Sequence, residues 1–90
     1  MKVMFLTTGW EDYLYWQQAD KSILIKINAL IKEIERMPFE GTGKPELLKH
    51  DLSGWWSRRI NLEHSLVYRI HEDAIVVLQC RYHYWLKISD

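Results

Sequence analysis

Glu46, Lys49, His83 and the adjacent pair Arg58 and Arg59 are the residues of this 90-residue chain whose types suit chemistry. A carboxylate such as Glu46 can serve as a general base, and the charge of a neighbouring Lys49 keeps it ionised. An imidazole such as His83, with an ordinary pKa of about 6.5, can give a proton to a leaving oxygen. Guanidinium forks bind phosphate through paired hydrogen bonds and stabilise the charge of a five-coordinate phosphorus. Tyr82, Tyr84, Trp55 and Trp56 offer faces on which unpaired bases can stack. Each group also has a plainer reading. Glu46 can be a solvated carboxylate, His83 a packed histidine, the arginines the flank of a sheet edge, and the aromatics part of a core.

Other chemistries find less support. Cys80-x-x-His83 supplies too few ligands for a metal, and neither His50 nor His64 completes the set by spacing. Gly41-Thr42-Gly43-Lys44 lacks the spacing and the following hydroxyl residue of a phosphate-binding loop. No Gly-x-Ser-x-Gly elbow is present. What remains is a set of carboxylate, imidazole and cations that calls for no metal or other cofactor. It suits cleavage of RNA, where the 2′-hydroxyl is a built-in nucleophile and the protein supplies proton transfer and charge.

These side chains need elements to position them. Lys2 to Leu6 reads as a strand. Thr8-x-x-Glu11 fits a capping box, so a helix is expected to about Gln18 with Trp10, Tyr13, Leu14 and Gln17 along one side. Asp20 is the expected cap of a second helix, in which Ile23, Ile27, Leu30, Ile31 and Ile34 recur at the spacing of one buried face. Pro38 should end that helix near Arg36. Gly41 to Pro45 is turn chemistry, and Glu46 to His50 is expected as one short helical turn. Trp55 to Asn61, Ser65 to Ile70 and Ala74 to Tyr82 read as antiparallel strands joined by hairpin connections.

The expectation is an α+β domain ordered β-α-α-β-β-β. Its helix pair would pack on one face of a four-stranded, largely antiparallel sheet that includes the first strand. Alternation puts Ile60, Leu66, Tyr68, Ile75 and Val77 towards the core, and Ser57, Arg59, Ser65, Val67 and Leu78 on the opposite face. Arg58 and Arg59 must point to opposite sides, so one reaches an outer face while the other covers an edge.

Composition bounds the rest. Residues 1–90 allow one domain. A hydrophobic share of 48% with 27% charged residues excludes a disordered or low-complexity chain. Twelve Lys and Arg against twelve Asp and Glu give a formal charge of zero, which counts against a surface built to coat nucleic acid. A single Cys80 cannot form an internal disulfide, and no apolar run is long enough for a membrane span. The chain reads as cytoplasmic.

The run EGTGKPELLKHDLSGWWSRRINLEHSLVYRI, with CRYHY near the end, strongly resembles the YoeB/Txe toxins of the RelE superfamily. WEDYLYWQQADKSILIKINALIKEI and PFEG agree too, so the likeness spans residues 10–84. The resemblance implies a compact α+β fold of the microbial ribonuclease kind. It implies an mRNA interferase that cuts messenger RNA in the ribosomal A site without metal, by 2′-hydroxyl attack that leaves a cyclic phosphate. It also implies a YefM/Phd-type antitoxin as partner, and a toxin able to form a homodimer. By motif, Glu46 falls on the general base and His83 on the general acid. Lys49 and Arg59 fall on phosphate contacts, Glu63 on an accessory carboxylate, and Tyr84 on the tyrosine that shapes the site. Arg58 is a further candidate for contacting substrate.

Two departures stand out. The family's Glu-His-Arg-Leu-Val-Tyr reads here Glu63-His64-Ser65-Leu66-Val67-Tyr68, so a transition-state arginine is replaced by Ser65. Residues 85–90 extend beyond the usual end at the tyrosine. The first departure leaves two readings open, an attenuated nuclease or a module that binds antitoxin and regulates its operon.

Overall fold

The computed structural model describes residues 1–83. Along them run β1 (Lys2–Phe5), α1 (Thr7–Ala19), α2 (Lys21–Arg36), β2 (Glu46–Leu47), a 3-10 turn (His50–Leu52), β3 (Trp56–Arg59), β4 (Ser65–His71) and β5 (Ala74–Gln79). The strands form one sheet in the order β1-β5-β4-β3-β2. The three pairings from β2 to β5 are antiparallel, and β1 lies parallel to β5. The α+β class and the helix pair are as expected, but the sheet has five strands rather than four.

The extra strand is the segment expected as a helical turn. Glu46 pairs with Ser57 and Leu47 with Trp56. The Leu48 amide donates to the Trp55 carbonyl at 2.9 Å, continuing the ladder. The free edge of β3 needs backbone partners, and this segment supplies them.

α2 forms as its stripe dictates. Ile27, Leu30, Ile31 and Ile34 are buried, with Ile23 packed beside them. Asp20 caps it, accepting from the Ser22 amide at 2.9 Å and the Ile23 amide at 3.4 Å. That face meets Ile60, Leu66, Tyr68, Ile75 and Val77, so the expected core side of the sheet is the observed one.

α1 differs from expectation. Its cap position is Leu6 and no side chain caps it, so the Thr8–Glu11 box does not form. Its buried residues are Gly9, Asp12 and Trp16, whereas Trp10 and Leu14 are exposed. The reason is polar as well as apolar. Trp16 Nε1 donates to the Cys80 carbonyl at 2.8 Å, and Asp12 Oδ2 accepts from the Cys80 amide at 3.0 Å. Gly9 permits that approach, because a Cβ there would lie 2.6 Å from the Val77 carbonyl oxygen. β5 also ends at Gln79 rather than continuing to Tyr82, since residues 80–82 turn towards these partners.

Candidate active site

The sheet face away from the helices carries the candidate site. Antiparallel pairing sets Glu46 of β2 opposite Ser57 of β3, and Arg59 of β3 opposite Ser65 of β4. Directly opposed residues share a face, so four strand positions converge without any fold-wide rearrangement. His83 arrives from beyond β5. A pocket of about 290 Å³ is lined by Lys44, Pro45, Glu46, Ser57, Arg59, Ser65 and His83. A neighbouring pocket of about 180 Å³ shares Arg59, Ser65 and His83 and adds Asn61 and Leu62.

The loop before β2 is held firmly. The Arg59 amide donates to the Gly43 carbonyl at 2.7 Å. Gly43 has φ +87°, and a Cβ on it would meet the Arg59 carbonyl oxygen at 2.9 Å, so glycine is required there. Lys44 follows with φ 52° and is thereby turned to the pocket wall.

Charge in the pocket acts on His83. Burial pushes its pKa below the ordinary histidine value, the Arg59 guanidinium pushes it the same way, and the Glu46 carboxylate opposes them. A bound phosphate would add negative charge beside the ring and favour its protonated, proton-donating form.

Arg58 requires a correction. It was expected to contact substrate, yet it points to the helix side of the sheet and is 0% exposed. Its Nε donates to the Tyr68 hydroxyl at 3.1 Å, and Nη1 donates to Glu33 Oε1 at 2.6 Å and to the Thr42 carbonyl at 3.2 Å. Nη2 donates to the Glu40 carbonyl at 2.7 Å and also to the Met37 carbonyl. The Tyr68 hydroxyl in turn donates to the Pro38 carbonyl at 2.7 Å. Arg58 therefore ties down the 37–42 segment that leads into the site loop, and Arg59 alone of the pair faces the pocket.

The other expected residues divide. Glu46, Arg59, Ser65 and His83 come together. Lys49 immediately precedes the 3-10 turn and lies outside both pockets, and Glu63 is exposed in the β3–β4 connection. Tyr84 and the 85–90 extension lie outside the described residues. Lys44, Pro45, Ser57, Asn61 and Leu62 line the pockets without having been singled out for the site. Ser57 was legible by its two-residue spacing from Arg59, and Lys44 as a cation of the loop that also carries Glu46, Lys49 and His50, though only the loop geometry brings it to the pocket. Among the described residues, no three His, Cys, Asp or Glu side chains gather as a metal ion would need. No helix among them is long and apolar enough to cross a membrane.

Two helices on a five-stranded mixed sheet, with a polar, cation-bearing pocket on the face away from them, is the fold of solved toxins of the YoeB and RelE kind. Residues 5–84 match the family described as YoeB-like toxin of bacterial type II toxin–antitoxin system, and the chain belongs to that family. It is 58% identical over 84 residues to Toxin YoeB of Escherichia coli K12, covering 93% of this chain and 100% of that one. The YoeB/ParE toxin structure from Agrobacterium tumefaciens superposes with TM-score 0.91 at 48% identity, covering 93% of this chain and 100% of that one. A Staphylococcus aureus YoeB, in a heterotetrameric complex with YefM, superposes with TM-score 0.86 at 48% identity, covering 93% and 98% of the two chains. The S. aureus protein has also been solved as a dimer.

Proposed function

We propose that this toxin is a ribosome-dependent endoribonuclease that cuts messenger RNA in the A site. The observation that carries the reading is the single pocket shared by Glu46, Arg59, His83 and Lys44. Glu46 takes the proton from a ribose 2′-hydroxyl, whose oxygen then bonds to the adjacent phosphorus. The bond from phosphorus to the 5′-oxygen breaks, and His83 gives that oxygen a proton. The products are a 2′,3′-cyclic phosphate and a 5′-hydroxyl. Arg59 and Lys44 neutralise the charge that builds on the phosphorane, and the Ser65 hydroxyl donates one neutral hydrogen bond. Lys49, outside the pocket, is left to meet the flanking RNA backbone, and Glu63 and Tyr84 keep the accessory roles that the resemblance suggests.

Family membership supports a setting as well. We assign the chain to the cytoplasm, with a YefM/Phd-type antitoxin as its silencing partner and a second copy of itself as a further one. The test is a purified ribosome paused on a defined message. Cleavage in the A site at micromolar toxin, lost in Glu46→Ala and His83→Ala, is the expected result; intact message would overturn the reading.

A second reading is favoured by one position. Ser65 sits where the family pattern has arginine and brings no charge to the pocket. On that reading the chain is an antitoxin-binding module with weak or absent catalysis. Tight antitoxin binding, together with residual cleavage that Glu46→Ala and His83→Ala leave unchanged, would establish it.

A further inference from the structure

Residues 80–83 leave β5 and must reach the pocket on the far side of β4, yet they belong to no strand or helix. What shapes them is a series of contacts from other elements. Asp12 and Trp16 of α1 hold the Cys80 amide and carbonyl. The Arg81 guanidinium lies over the Tyr15 ring at 3.6 Å and over the Tyr82 ring at 4.5 Å. The Tyr82 carbonyl accepts from the Ser65 amide at 3.0 Å. The Tyr82 amide donates to His64 Nδ1 at 2.7 Å. Tyr82 has φ 65°, a left-handed backbone that a tyrosine adopts only when its surroundings over-determine it. His83 is the next residue, so that bend sets where its backbone enters the pocket.

We infer that His64 is a positioning residue for His83: its neutral imidazole accepts the Tyr82 amide and, with Ser65, locks the bend that delivers His83 to the pocket. An amide donor can pair only with an unprotonated Nδ1, so the proton of neutral His64 sits on Nε2. The ring is steadied by Trp16, which meets it edge-on at 4.8 Å between centroids, and by the Tyr82 ring at 6.0 Å. The charged groups that face it are Asp12 from α1, Arg81 from the segment after β5, and Glu63 from its own loop. Burial outweighs the two carboxylates and keeps the imidazole neutral to lower pH than an ordinary histidine. Protonation turns Nδ1 into a donor facing a donor, which breaks the lock. The toxin would thus carry two histidines with opposite needs, His64 neutral and His83 protonated.

The bearing on catalysis rests on the ribonuclease reading above, while the lock itself is a property of the chain. The experiment uses the whole toxin with His64→Ala and His64→Asn. Asparagine places an oxygen acceptor at the position of Nδ1 and does not titrate. Three readouts are taken: Tyr82 amide exchange, the His83 ring resonances, and single-turnover cleavage on paused ribosomes from pH 5.5 to 8. His64→Ala is expected to speed Tyr82 amide exchange at least about tenfold and to move the His83 ring resonances, while the β4 and β5 amides stay protected. Its cleavage is expected to fall by about 10²-fold, the scale set by misplacing a reacting group by an ångström. His64→Asn is expected to keep Tyr82 protected, to cleave within about threefold of the parent, and to lose less activity at acid pH, since a neutral acceptor persists there. Unchanged Tyr82 exchange in His64→Ala, or a His64→Asn variant as impaired as His64→Ala, would overturn the inference. A parent that cleaves no message overturns the ribonuclease reading instead, and the exchange and His83 resonance data still decide the lock.

Discussion

Arg59 and Ser65 stand opposite one another on β3 and β4, with His83 on the same pocket wall. An arginine at 65 would therefore point its charge into that pocket, where the proposed reaction forms its phosphorane. Restoring one preorganised charge of this kind is worth about 10²–10³ in rate. Ser65→Arg is expected to raise single-turnover cleavage on ribosomes into that range. A second effect accompanies the first. Arg59 already depresses the His83 pKa, and another cation beside it pushes the same way. On the ribonuclease reading His83 acts in its protonated form, so the fall in rate with rising pH should begin at lower pH in Ser65→Arg than in the parent. A higher maximum with an unshifted alkaline limb would show that residue 65 does not face His83. The two lysines are separated by the same assay. Lys44 lines the pocket and Lys49 does not, so Lys44→Gln is expected to lower the cleavage step by about tenfold or more. Lys49→Gln should act mainly on the toxin concentration needed.

Between α2 and β2 the chain has little regular structure, and Arg58 supplies what a helix or strand would otherwise provide. Its guanidinium donates to the carbonyls of Met37, Glu40 and Thr42 as well as to Glu33. Arg58→Met would fill the same space and take the guanidinium donor from the Met37, Glu40 and Thr42 carbonyls, while Glu33 keeps its bonds from Thr42. A loss of roughly 3 kcal/mol is expected, since a buried polar group left unsatisfied costs about 1–3 kcal/mol. In a domain this small that is a drop of at least about 10 °C in Tm. Glu33 gives the same network a pH signature. The Thr42 amide above all, with the Thr42 hydroxyl and Arg58, holds its carboxyl below the usual carboxylate range. A carboxyl depressed in the folded state contributes stability above its unfolded pKa, and that contribution disappears as pH falls through the folded value. Thermal melts from pH 7 down to 3 should therefore fall more steeply for the parent than for Glu33→Gln. Equal slopes would exclude Glu33 as the titrating anchor.

Elements of this kind also mark how far the sequence could be read. α2 was legible because apolar side chains at helical spacing leave one packing solution. β4 and β5 were legible because alternation sorts their faces. Alternation also separates Arg58 from Arg59, and with Ile60 turned to the core it puts Arg59 on the outer face; what it could not give is the buried network of carbonyls that receives Arg58. β2 was hidden because two residues carry no period at all. The buried side of α1 was hidden because Asp12 and Trp16 are held by the Cys80 backbone, more than sixty residues away in sequence. In the site, Glu46, Arg59 and His83 were found by chemistry and by the family pattern, whereas Lys44, legible only as one cation of the same loop as Glu46, is placed in the pocket by the bond from the Arg59 amide to the Gly43 carbonyl.

At the scale of the whole molecule, zero formal charge and a cationic pocket are compatible if the ribosome presents the RNA. A toxin that captured free messages unaided would need a broad basic surface, because phosphate contacts supply most non-specific affinity. Here the pocket cations among the described residues are Lys44 and Arg59, with Lys49 nearby in sequence. Each phosphate neutralised on a single strand contributes a slope of about −0.7 in log K against log salt, so two or three cations predict about −1.4 to −2. Binding of a short unstructured RNA, measured by anisotropy from 50 to 200 mM salt on the Glu46→Ala toxin to prevent turnover, should show that shallow dependence and weak affinity. Cleavage on paused ribosomes should then exceed cleavage of the same free message by several orders of magnitude, because positioning on the ribosome supplies what charge does not. A slope steeper than about −4 would mean that a wider set of cations grips the RNA, and the division of labour between pocket and ribosome would have to be redrawn.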